Sequence, residues 1–193
     1  MLARRKSYIP SKINVFDMKK KLGKIHFMLT GGTIDSYYST KDDTAIPLKK
    51  SMIPPYLKGL NLNPIFTYTT ICMKDSRKIT PKDRKRLLGE IKACKETKVI
   101  VTHGSYTMAK TAKYLEENFG KIHDKTVVLT GAFTPLAHFV NGDSGFNLGY
   151  AIASAEHLFP GVYVAMNGRV FKPKEVKKIR EKGHFASAYE LHH

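Results

Sequence analysis

The chain has 193 residues, of which 33 are lysine or arginine and 16 are aspartate or glutamate, so its formal net charge is +17. This length suits one well-packed domain and is too short for two full ones. With 42% hydrophobic and 10% aromatic residues, the chain is too apolar to be disordered. No apolar stretch approaches the about 20 residues of a membrane-spanning helix. We therefore expect a soluble, strongly basic, single-domain protein without a membrane segment.

Most of the basic residues lie in three segments, 1–24, 74–98 and 169–182. A charge excess of this size attracts nucleic acid or anionic lipid by counterion release. A solvated basic surface that keeps the protein soluble is the simpler interpretation, and we prefer it. Binding of nucleic acid is kept as an alternative, although the interleaved aromatic residues of a single-strand binder are missing.

Three parts are predicted along the chain. Residues 1–23 form a basic N-terminal arm without the apolar core of a secretory signal. Residues 24–187 form the folded domain, and residues 188–193 form a tail that is derived in part from a purification tag. The two cysteines, Cys72 and Cys94, lack the spacing of a disulfide framework or a metal site, which predicts reduced thiols and a cytoplasmic location.

Strand and helix signals alternate from Lys24 onward. Apolar and β-branched runs predict strands at 25–29, 65–72, 99–101, 126–129 and 162–166. Helical patterns follow at 81–94, 108–119, 147–158 and 174–182, the last a basic helix that ends at Gly183. We expect no hairpin within this alternation. Apolar strands that are each followed by a helix need crossover connections, which predicts a doubly wound α/β domain with a parallel sheet.

Two helix ends carry capping signals. Thr80 can accept a hydrogen bond at the start of the second predicted helix, where Pro81 suits the first turn and Asp83 faces the exposed amide groups. Gly120 follows the helix at 108–119 and is placed as its C-terminal cap. Both signals fix helix boundaries independently of hydrophobic periodicity.

Three predicted strands end in similar loops, which read Thr-Gly-Gly-Thr at 30–33, Thr-His-Gly-Ser at 102–105 and Thr-Gly-Ala at 130–132. Ligands of doubly wound sheets bind outside the carboxyl ends of the strands. Glycines allow close approach of the backbone, free amide groups can hold an oxyanion, and hydroxyls can attack a carbonyl. These loops predict a pocket for a small polar molecule. The alternative is that the glycines make turns and the hydroxyls cap helices.

A dinucleotide-binding loop is excluded because no glycine lies between Thr33 and Tyr38, so the G-x-G-x-x-G spacing fails. His103, beside a glycine turn, is expected to be structural rather than catalytic. The three loops therefore favour chemistry on a small molecule without a bound nucleotide.

The same loops resemble the bacterial-type L-asparaginase family of threonine amidohydrolases. Segment 29–35, Leu-Thr-Gly-Gly-Thr-Ile-Asp, resembles the first threonine motif of that family. Segment 101–108, Val-Thr-His-Gly-Ser-Tyr-Thr-Met, resembles the second, which usually reads T-H-G-T-D-T-M. Further similarity lies at 74–76, 127–132, 146–148 and 166–171, so that the resemblance runs from about Lys24 to about Ser187.

The resemblance implies an amidohydrolase that converts the side-chain amide of L-asparagine, or of a related small amide, to a carboxylate and ammonia. Thr33 stands at the position of the nucleophile, and Tyr38, or failing it Tyr37, would help to activate it. Ser105 replaces the second catalytic threonine and keeps its hydroxyl. Lys178 aligns with the lysine that completes the proton relay.

Substrate contacts and assembly are implied in the same way. The residues expected to hold the substrate are Gly32, Asp75, Ser76, Gly104, Tyr106 and Ala132, with Ser76 on the α-carboxylate. No metal or organic cofactor is implied. The chain resembles the N-terminal catalytic domain of the family, so we expect a homo-oligomer, a dimer or tetramer, whose second copy helps to close the site.

Tyr106 departs from the family pattern, because it occupies the position of an aspartate that pairs with the α-amino group of the substrate and with the lysine. Tyrosine is uncharged at neutral pH, and a lost charge-assisted partner typically costs about 1.5–3 kcal/mol. One interpretation is a substrate other than an ordinary α-amino acid. Another is that Asp35, Asp143 or Glu175 substitutes. The third is a weakened catalyst, in effect a small-molecule-binding protein on the same fold.

Overall fold

The computed structural model of the chain describes residues 23–120, 124–137, 141–179, 181 and 183–189. The predicted basic arm, of which only Gly23 is described, and residues 190–193 of the predicted tail lie outside these ranges. No helix within the described ranges is long and apolar enough to cross a lipid bilayer.

The described residues form strands and helices in this chain order: β1 (Ile25–Gly31), β2 (Ser36–Ser39), β3 (Thr44–Pro47), α1 (Ile53–Gly59), β4 (Phe66–Lys74), α2 (Pro81–Ala93), β5 (Lys98–Thr102), α3 (Met108–Phe119), β6 (Thr126–Thr130), α4 (Asp143–His157), β7 (Gly161–Met166), β8 (Arg169–Phe171), β9 (Val176–Ile179) and β10 (His184–Ser187). Two short 3-10 turns, Thr33–Asp35 and Ser76–Lys78, follow β1 and β4. The five predicted strands and three of the four predicted helices are therefore present.

One six-stranded sheet carries the domain, in the order β4-β1-β5-β6-β7-β8. Its first five strands are parallel, and only β8, at the edge, runs antiparallel to its neighbour β7. The chain passes from β1 outward to β4 and then returns to β5 on the other side of β1. This reversal of strand order opens a crevice at the carboxyl ends of β1 and β5, where ligands of such sheets bind. The predicted doubly wound α/β fold is confirmed.

The sheet is buried on both faces, which explains why its strands are continuous apolar runs. Val99 and Val101 of β5 point toward α2 and α3, into a cluster that includes Leu87, Ile91 and Leu115. Ile100, between them in the pleat, points the other way, toward α1 and α4. It belongs to a second cluster that also includes Phe27, Ile53 and Leu148. Burial of each large apolar side chain is worth roughly 1.5–3 kcal/mol.

The two predicted helix caps are confirmed. Thr80 Oγ1 accepts a hydrogen bond from the Asp83 amide, and the Asp83 carboxylate accepts one from the Thr80 amide, so that α2 begins in a capping box with Pro81 in its first turn. Helix α3 ends at Phe119, followed by Gly120 with φ 98°. A side-chain cap thus sets the start of α2, and the backbone freedom of a glycine allows the end of α3.

The predicted basic helix at 174–182 is wrong. Its first half forms β9, which pairs antiparallel with β10. Val176 and Phe185 both enter the core cluster below α3, so burial of the hairpin outweighs the helix preference of a lysine-rich segment. Gly183, with φ 58°, lies in the connection of the hairpin and ends no helix. The segment 169–182, one of the three basic segments behind the nucleic-acid alternative, therefore contains no basic helix within its described residues.

The expectation of no hairpins is also wrong, since β2 pairs with β3, and β7 pairs with β8. Strands β7 and β8 are joined by Asn167 and Gly168 with φ of 54° and 74°. Two consecutive positive φ values are the requirement of the tight hairpin turn that Asn-Gly favours. The Asn-Gly pair at 167–168 is this signal in the sequence, and it forms a hairpin despite the strand–helix alternation around it.

The Gly168→Ala substitution is expected to lower the free energy of unfolding by about 1 kcal/mol, because alanine at φ 74° is strained. The matched control is Gly149→Ala, on the exposed face of α4 with no atom within 4 Å of the added Cβ. The control is expected to raise the free energy of unfolding by about 0.5–1 kcal/mol, because alanine is favoured over glycine inside a helix. Urea unfolding of both variants checks the prediction, which fails if Gly168→Ala is as stable as the control.

Candidate active site

Close backbone packing forms the floor of the crevice. A Cβ on Gly32 would lie 2.4 Å from the Gly104 amide nitrogen, and a Cβ on Gly104 would lie 2.8 Å from Ser76 Oγ. Only glycine fits at the first position, where φ is also 83°. The loops after β1 and β5 therefore touch through their backbones, and the Ser76 side chain of the turn after β4 packs directly on the backbone of the β5 loop.

A cavity of about 390 Å³ opens above this floor. Seven of the ten predicted site residues line it: Gly32, Thr33, Tyr38, Asp75, Ser105, Tyr106 and Lys178. The lining also contains residues that sequence reasoning missed, from the β2–β3 hairpin, the turn after β4 and the loop after β6: Ser36, Thr44, Ala45, Pro47, Arg77, Phe133, Thr134 and Pro135. Of these, Arg77 could have been predicted from the sequence, because it directly follows the 74–76 motif.

The other three predicted residues, Ser76, Gly104 and Ala132, are not among the lining residues. Ser76 is buried, and its Oγ accepts a long hydrogen bond of 3.4 Å from the Thr107 amide. Its carbonyl oxygen accepts a bond of 2.8 Å from Thr107 Oγ1. Ala132 is fully buried in the core. In this structure Ser76 connects the β4 turn to the β5 loop, and a contact with the substrate stays a prediction.

Ser105 and Lys178, two of the predicted catalytic residues, are in direct contact. Lys178 Nζ donates a hydrogen bond of 2.7 Å to Ser105 Oγ. The β9–β10 hairpin, which replaces the predicted helix, carries the lysine to this position. A hydroxyl bonded to an amine is an arrangement that can move a proton.

Thr33 and Tyr38 face the same cavity from the segment after β1. No described residue forms a hydrogen bond with the Thr33 hydroxyl, which is partly exposed at the start of its 3-10 turn. The Tyr38 hydroxyl donates to Asp43 within the hairpin, and this bond raises the tyrosine pKa above its usual 10. Tyr37 is not among the lining residues. At neutral pH, Tyr38 is therefore a neutral phenol that can act by hydrogen bonding.

Tyr106 lies between two cations. The Arg77 guanidinium carbon is 4.8 Å, and Lys178 Nζ is 3.9 Å, from the centre of its ring. Arg77 also holds Asp75 through both carboxylate oxygens, and this hydrogen bonding lowers the Asp75 pKa. The tyrosine thus packs against positive charge where the resemblance leads us to expect a carboxylate.

The three carboxylates considered as substitutes lie elsewhere. Asp143 accepts hydrogen bonds from the backbone of residues 133 and 134. Glu175 accepts from the backbone of its own turn. Asp35 is fully buried, accepts from the Met52 amide, and has its pKa raised by burial. None of the three lines the cavity as described, so none of them takes the place of the missing aspartate there.

Comparison with known proteins places this geometry in a family. The family model described as Asparaginase, N-terminal, matches residues 24–188. The chain belongs to the asparaginase family. The matched residues include the whole described domain except Gly23 and Tyr189, and both threonine motifs lie within them.

Individual relatives of the family are longer than this chain. An L-asparaginase of Thermococcus kodakarensis is 33% identical over 85 residues, which cover 44% of this chain and 25% of that protein. The structure of L-asparaginase I from Vibrio cholerae matches with a TM-score of 0.71 and 26% identity over 86% of this chain and 51% of that one. A probable cytoplasmic L-asparaginase of Campylobacter jejuni matches with a TM-score of 0.67 and 28% identity over the same shares, 86% and 51%. The chain spans about a quarter of the curated relative and half of the solved structures.

His103, within the second threonine motif of the chain, is completely buried. Its Nδ1 lies 2.8 Å from the Gly104 carbonyl oxygen, and its Nε2 lies 2.9 Å from Thr111 Oγ1. The carbonyl can only accept, so Nδ1 donates and Nε2 accepts from the threonine, which itself accepts from Arg84 Nε. Burial lowers the His103 pKa to about 4. A neutral imidazole therefore braces the loop that carries Ser105, in agreement with a structural role.

No group of three or more His, Cys, Asp and Glu side chains within the described part of the chain could hold a metal ion. Cys72 and Cys94 are both free, and burial raises the Cys72 pKa to about 11. The chemistry offered by the described cavity is that of hydroxyls, one amine, backbone amides and charged side chains.

Acidification is expected to destabilise the fold through His103. Below about pH 6.5 the unfolded chain takes up a proton at this residue, whereas the folded chain resists it down to about 4. Stability therefore falls as the pH drops through this window, by on the order of 3 kcal/mol at pH 4. Urea unfolding from pH 7.5 to 4.5 measures the slope.

The His103→Gln variant is expected to be less stable at pH 7.5 and to have a shallower pH dependence than the natural chain. His157→Gln, on the exposed end of α4, is the control that keeps the original slope. Equal slopes for all three proteins would contradict the assignment of the proton uptake to His103.

Proposed function

We propose that the chain is an asparaginase-type amidohydrolase that hydrolyses the side-chain amide of L-asparagine or of a related small amide. The observation that carries the proposal is that the Thr33 hydroxyl and the Ser105–Lys178 pair line one cavity at the reversal point of the sheet. Family membership supports the same reaction class. The chain covers only part of its relatives, so the activity of those longer proteins enters as a proposal.

In the proposed reaction, Thr33 Oγ attacks the amide carbonyl carbon and forms a C–O bond. Lys178 takes the threonine proton through Ser105 Oγ and returns a proton to the amide nitrogen. The C–N bond then breaks, ammonia leaves, and an acyl-enzyme remains on Thr33. Water attacks this ester and the C–O bond to Thr33 breaks. One water proton restores the threonine hydroxyl, and the other is taken up by the released ammonia, which leaves the product as a carboxylate. Each proton has a donor and an acceptor, so no cofactor is needed.

The negative charge that develops on the carbonyl oxygen needs amide donors. The Gly32 amide is already bonded to the Lys74 carbonyl oxygen at 2.9 Å, so we do not assign it to this role. The Thr33 amide, at the partly exposed start of its 3-10 turn, is the better candidate. Tyr38, a neutral phenol, would contribute a hydrogen bond to the nucleophile after it has left Asp43.

A homo-oligomer in the cytoplasm is part of the proposal. Tyr38 and Tyr106 line the cavity and yet expose 44% and 49% of their surface, so one side of the site is open. A second copy of the chain, as a dimer or tetramer, would cover it. The Campylobacter jejuni relative is described as probably cytoplasmic, which supports the proposed location.

The Thr33→Ala variant is expected to release ammonia from its best amide substrate at least about a thousand-fold more slowly than the natural chain. Thr33→Ser keeps a hydroxyl and is expected to keep a measurable rate. Thr97→Ala is the matched control, an exposed threonine at the opposite edge of the sheet. A coupled ammonia assay measures all four proteins. Equal rates in the natural chain and Thr33→Ala would refute the proposed nucleophile.

The Ser105–Lys178 pair gives a second prediction. Ser105→Ala and Lys178→Met are each expected to lower kcat by about 10²–10⁴, the usual contribution of acid–base groups. Ser105→Thr restores the hydroxyl and is expected to keep most of the activity. Lys177→Met, the exposed neighbour on β9, is the control. If Lys177→Met slows the reaction as much as Lys178→Met, general charge rather than the Ser105 contact is responsible.

Binding of a small molecule without turnover is a second candidate function. It is favoured by the Thr33 hydroxyl, which no described residue activates by a hydrogen bond, and by Tyr106 in the aspartate position. Calorimetric binding of L-asparagine or another amide by the natural chain, with no ammonia released over many hours, would support this function against the enzymatic one.

A further inference from the structure

Asp35 is a buried carboxyl group that the proposed reaction does not use. It lies two residues after Thr33, at the end of the 3-10 turn that begins with this threonine, and it is fully buried. The Met52 amide donates a hydrogen bond of 2.8 Å to Asp35 Oδ1, and the Ser51 side chain also interacts with the carboxylate. Burial outweighs both interactions and raises the Asp35 pKa. No cation of the described chain contributes to this balance.

Stability alone does not account for a carboxylate at the place of Asp35. Transfer of a charged group into the protein interior is costly unless an opposite charge or several hydrogen bonds compensate it. Here one backbone amide and one hydroxyl are available, and the raised pKa indicates that they compensate it only in part. A neutral side chain would avoid this cost. The carboxylate therefore points to a role in holding neighbouring segments in place.

Three hydrogen bonds tie the 3-10 turn to two other segments of the chain. The Leu136 amide, in the loop after β6, donates to the Ile34 carbonyl oxygen at 3.1 Å. The Leu48 amide, directly after β3, donates to the Asp35 carbonyl oxygen at 2.8 Å. These two bonds use backbone oxygens, which every residue has. The third bond, from the Met52 amide at the start of α1, needs the Asp35 side chain.

Both of these segments continue from the wall of the cavity. Residues 133–135 of the loop after β6 line the cavity and directly precede the first donor. Pro47, the last residue of β3, lines it and directly precedes the second donor. The turn therefore lies where two parts of the wall meet, and a shift of the turn would move Thr33 relative to both of them.

We propose that Asp35 is the positioning residue for the nucleophile, because its carboxylate holds the turn against the start of α1 and so fixes the direction of the Thr33 hydroxyl. The inference rests on the proposed function and adds to it a residue that is not among the described lining of the cavity. Displacement of a reacting group by about 1 Å can lower a rate about 10²-fold. Loss of the anchor is therefore expected to slow the chemical step more than it weakens substrate binding.

The first experiment measures kcat and KM of two Asp35 variants with the best amide substrate. Asp35→Ala removes the acceptor and is expected to lower kcat about ten- to hundred-fold, with KM within about three-fold of the natural value. Asp35→Asn keeps an oxygen for the Met52 amide and is expected to lower kcat by no more than about three-fold.

Thr126→Ala is the control for a loss of stability alone. This buried threonine, at the start of β6 and so at the opposite end of the sheet, loses a side-chain hydrogen bond to the Leu158 carbonyl oxygen. Its kcat is expected to stay that of the natural chain. An equal loss of kcat in Thr126→Ala, or an effect of Asp35→Ala on KM alone, would overturn the inference.

A double-mutant cycle tests whether Asp35 acts through Thr33. In the Thr33→Ala background, Asp35→Ala is expected to change the residual rate of ammonia release by less than about three-fold, because the group that it positions is gone. A further loss of about ten-fold in that background would show that the aspartate contributes independently of the threonine, and the inference would then be wrong.

Hydrogen exchange tests the anchor without an enzymatic rate. The amides of Asp35, Leu48 and Met52 are all hydrogen-bonded within the turn or to it. In the natural chain they are expected to exchange through one shared opening, with protection factors equal within about three-fold. In Asp35→Ala all three are expected to exchange about ten-fold faster, whereas the amides of β6 keep their rates.

The exchange pattern also separates failure of the inference from failure of the proposed function. A Met52 amide that opens independently of the Asp35 and Leu48 amides in the natural chain would overturn the inference, even if Asp35→Ala does not fold. A natural chain that hydrolyses no amide would refute the proposed function, and the exchange of these three amides then decides by itself whether Asp35 holds the turn.

Discussion

The contact of Gly32 with Gly104 is the constraint on which the site depends. Two loops from neighbouring parallel strands can meet at this distance only if neither carries a side chain at the contact, and the added-Cβ distance of 2.4 Å leaves no room for one. Thr33 and Ser105 each follow one of these glycines in the chain. The two hydroxyls therefore open into one cavity because the two glycines bring their loops into direct backbone contact.

Much of the fold could be predicted from the sequence, because in most segments the local conformational preference of the residues agrees with their burial. The β5 run Val99–Val101 is apolar without interruption because both faces of the sheet are covered, and Thr80 sets the start of α2 through its own hydroxyl. The helix predicted at 174–182 is wrong because residues outside this segment decide its secondary structure. Phe185 enters the core only if the chain turns back, and local helix preference carries no information about that pairing.

The candidate site, too, could be predicted from the sequence in part and not in full. The resemblance selects Thr33, Ser105 and Lys178 together, and in the structure all three line one cavity, although the element assigned to the lysine was wrong. Alignment of motifs does not depend on secondary structure, and the roles of the three residues stay predictions. The surroundings of Tyr106 could not be predicted. From the sequence alone, Tyr106 indicates only that the negative charge of the family's aspartate is missing at this position. In the structure the space is filled by two cations that come from the β4 turn and the β9 hairpin, segments far apart in the chain.

The net charge of +17 and the charged side chains that line the cavity act over different ranges. At physiological ionic strength, screening removes most interactions beyond about 8 Å, so the lysines of distant surfaces affect how often an anion arrives and not which anion is chosen. Discrimination between a carboxylate with and without a nearby ammonium needs charges in contact with the ligand. Asp75, Arg77 and Lys178 line the cavity, so selectivity that depends on them should persist at salt concentrations that abolish steering.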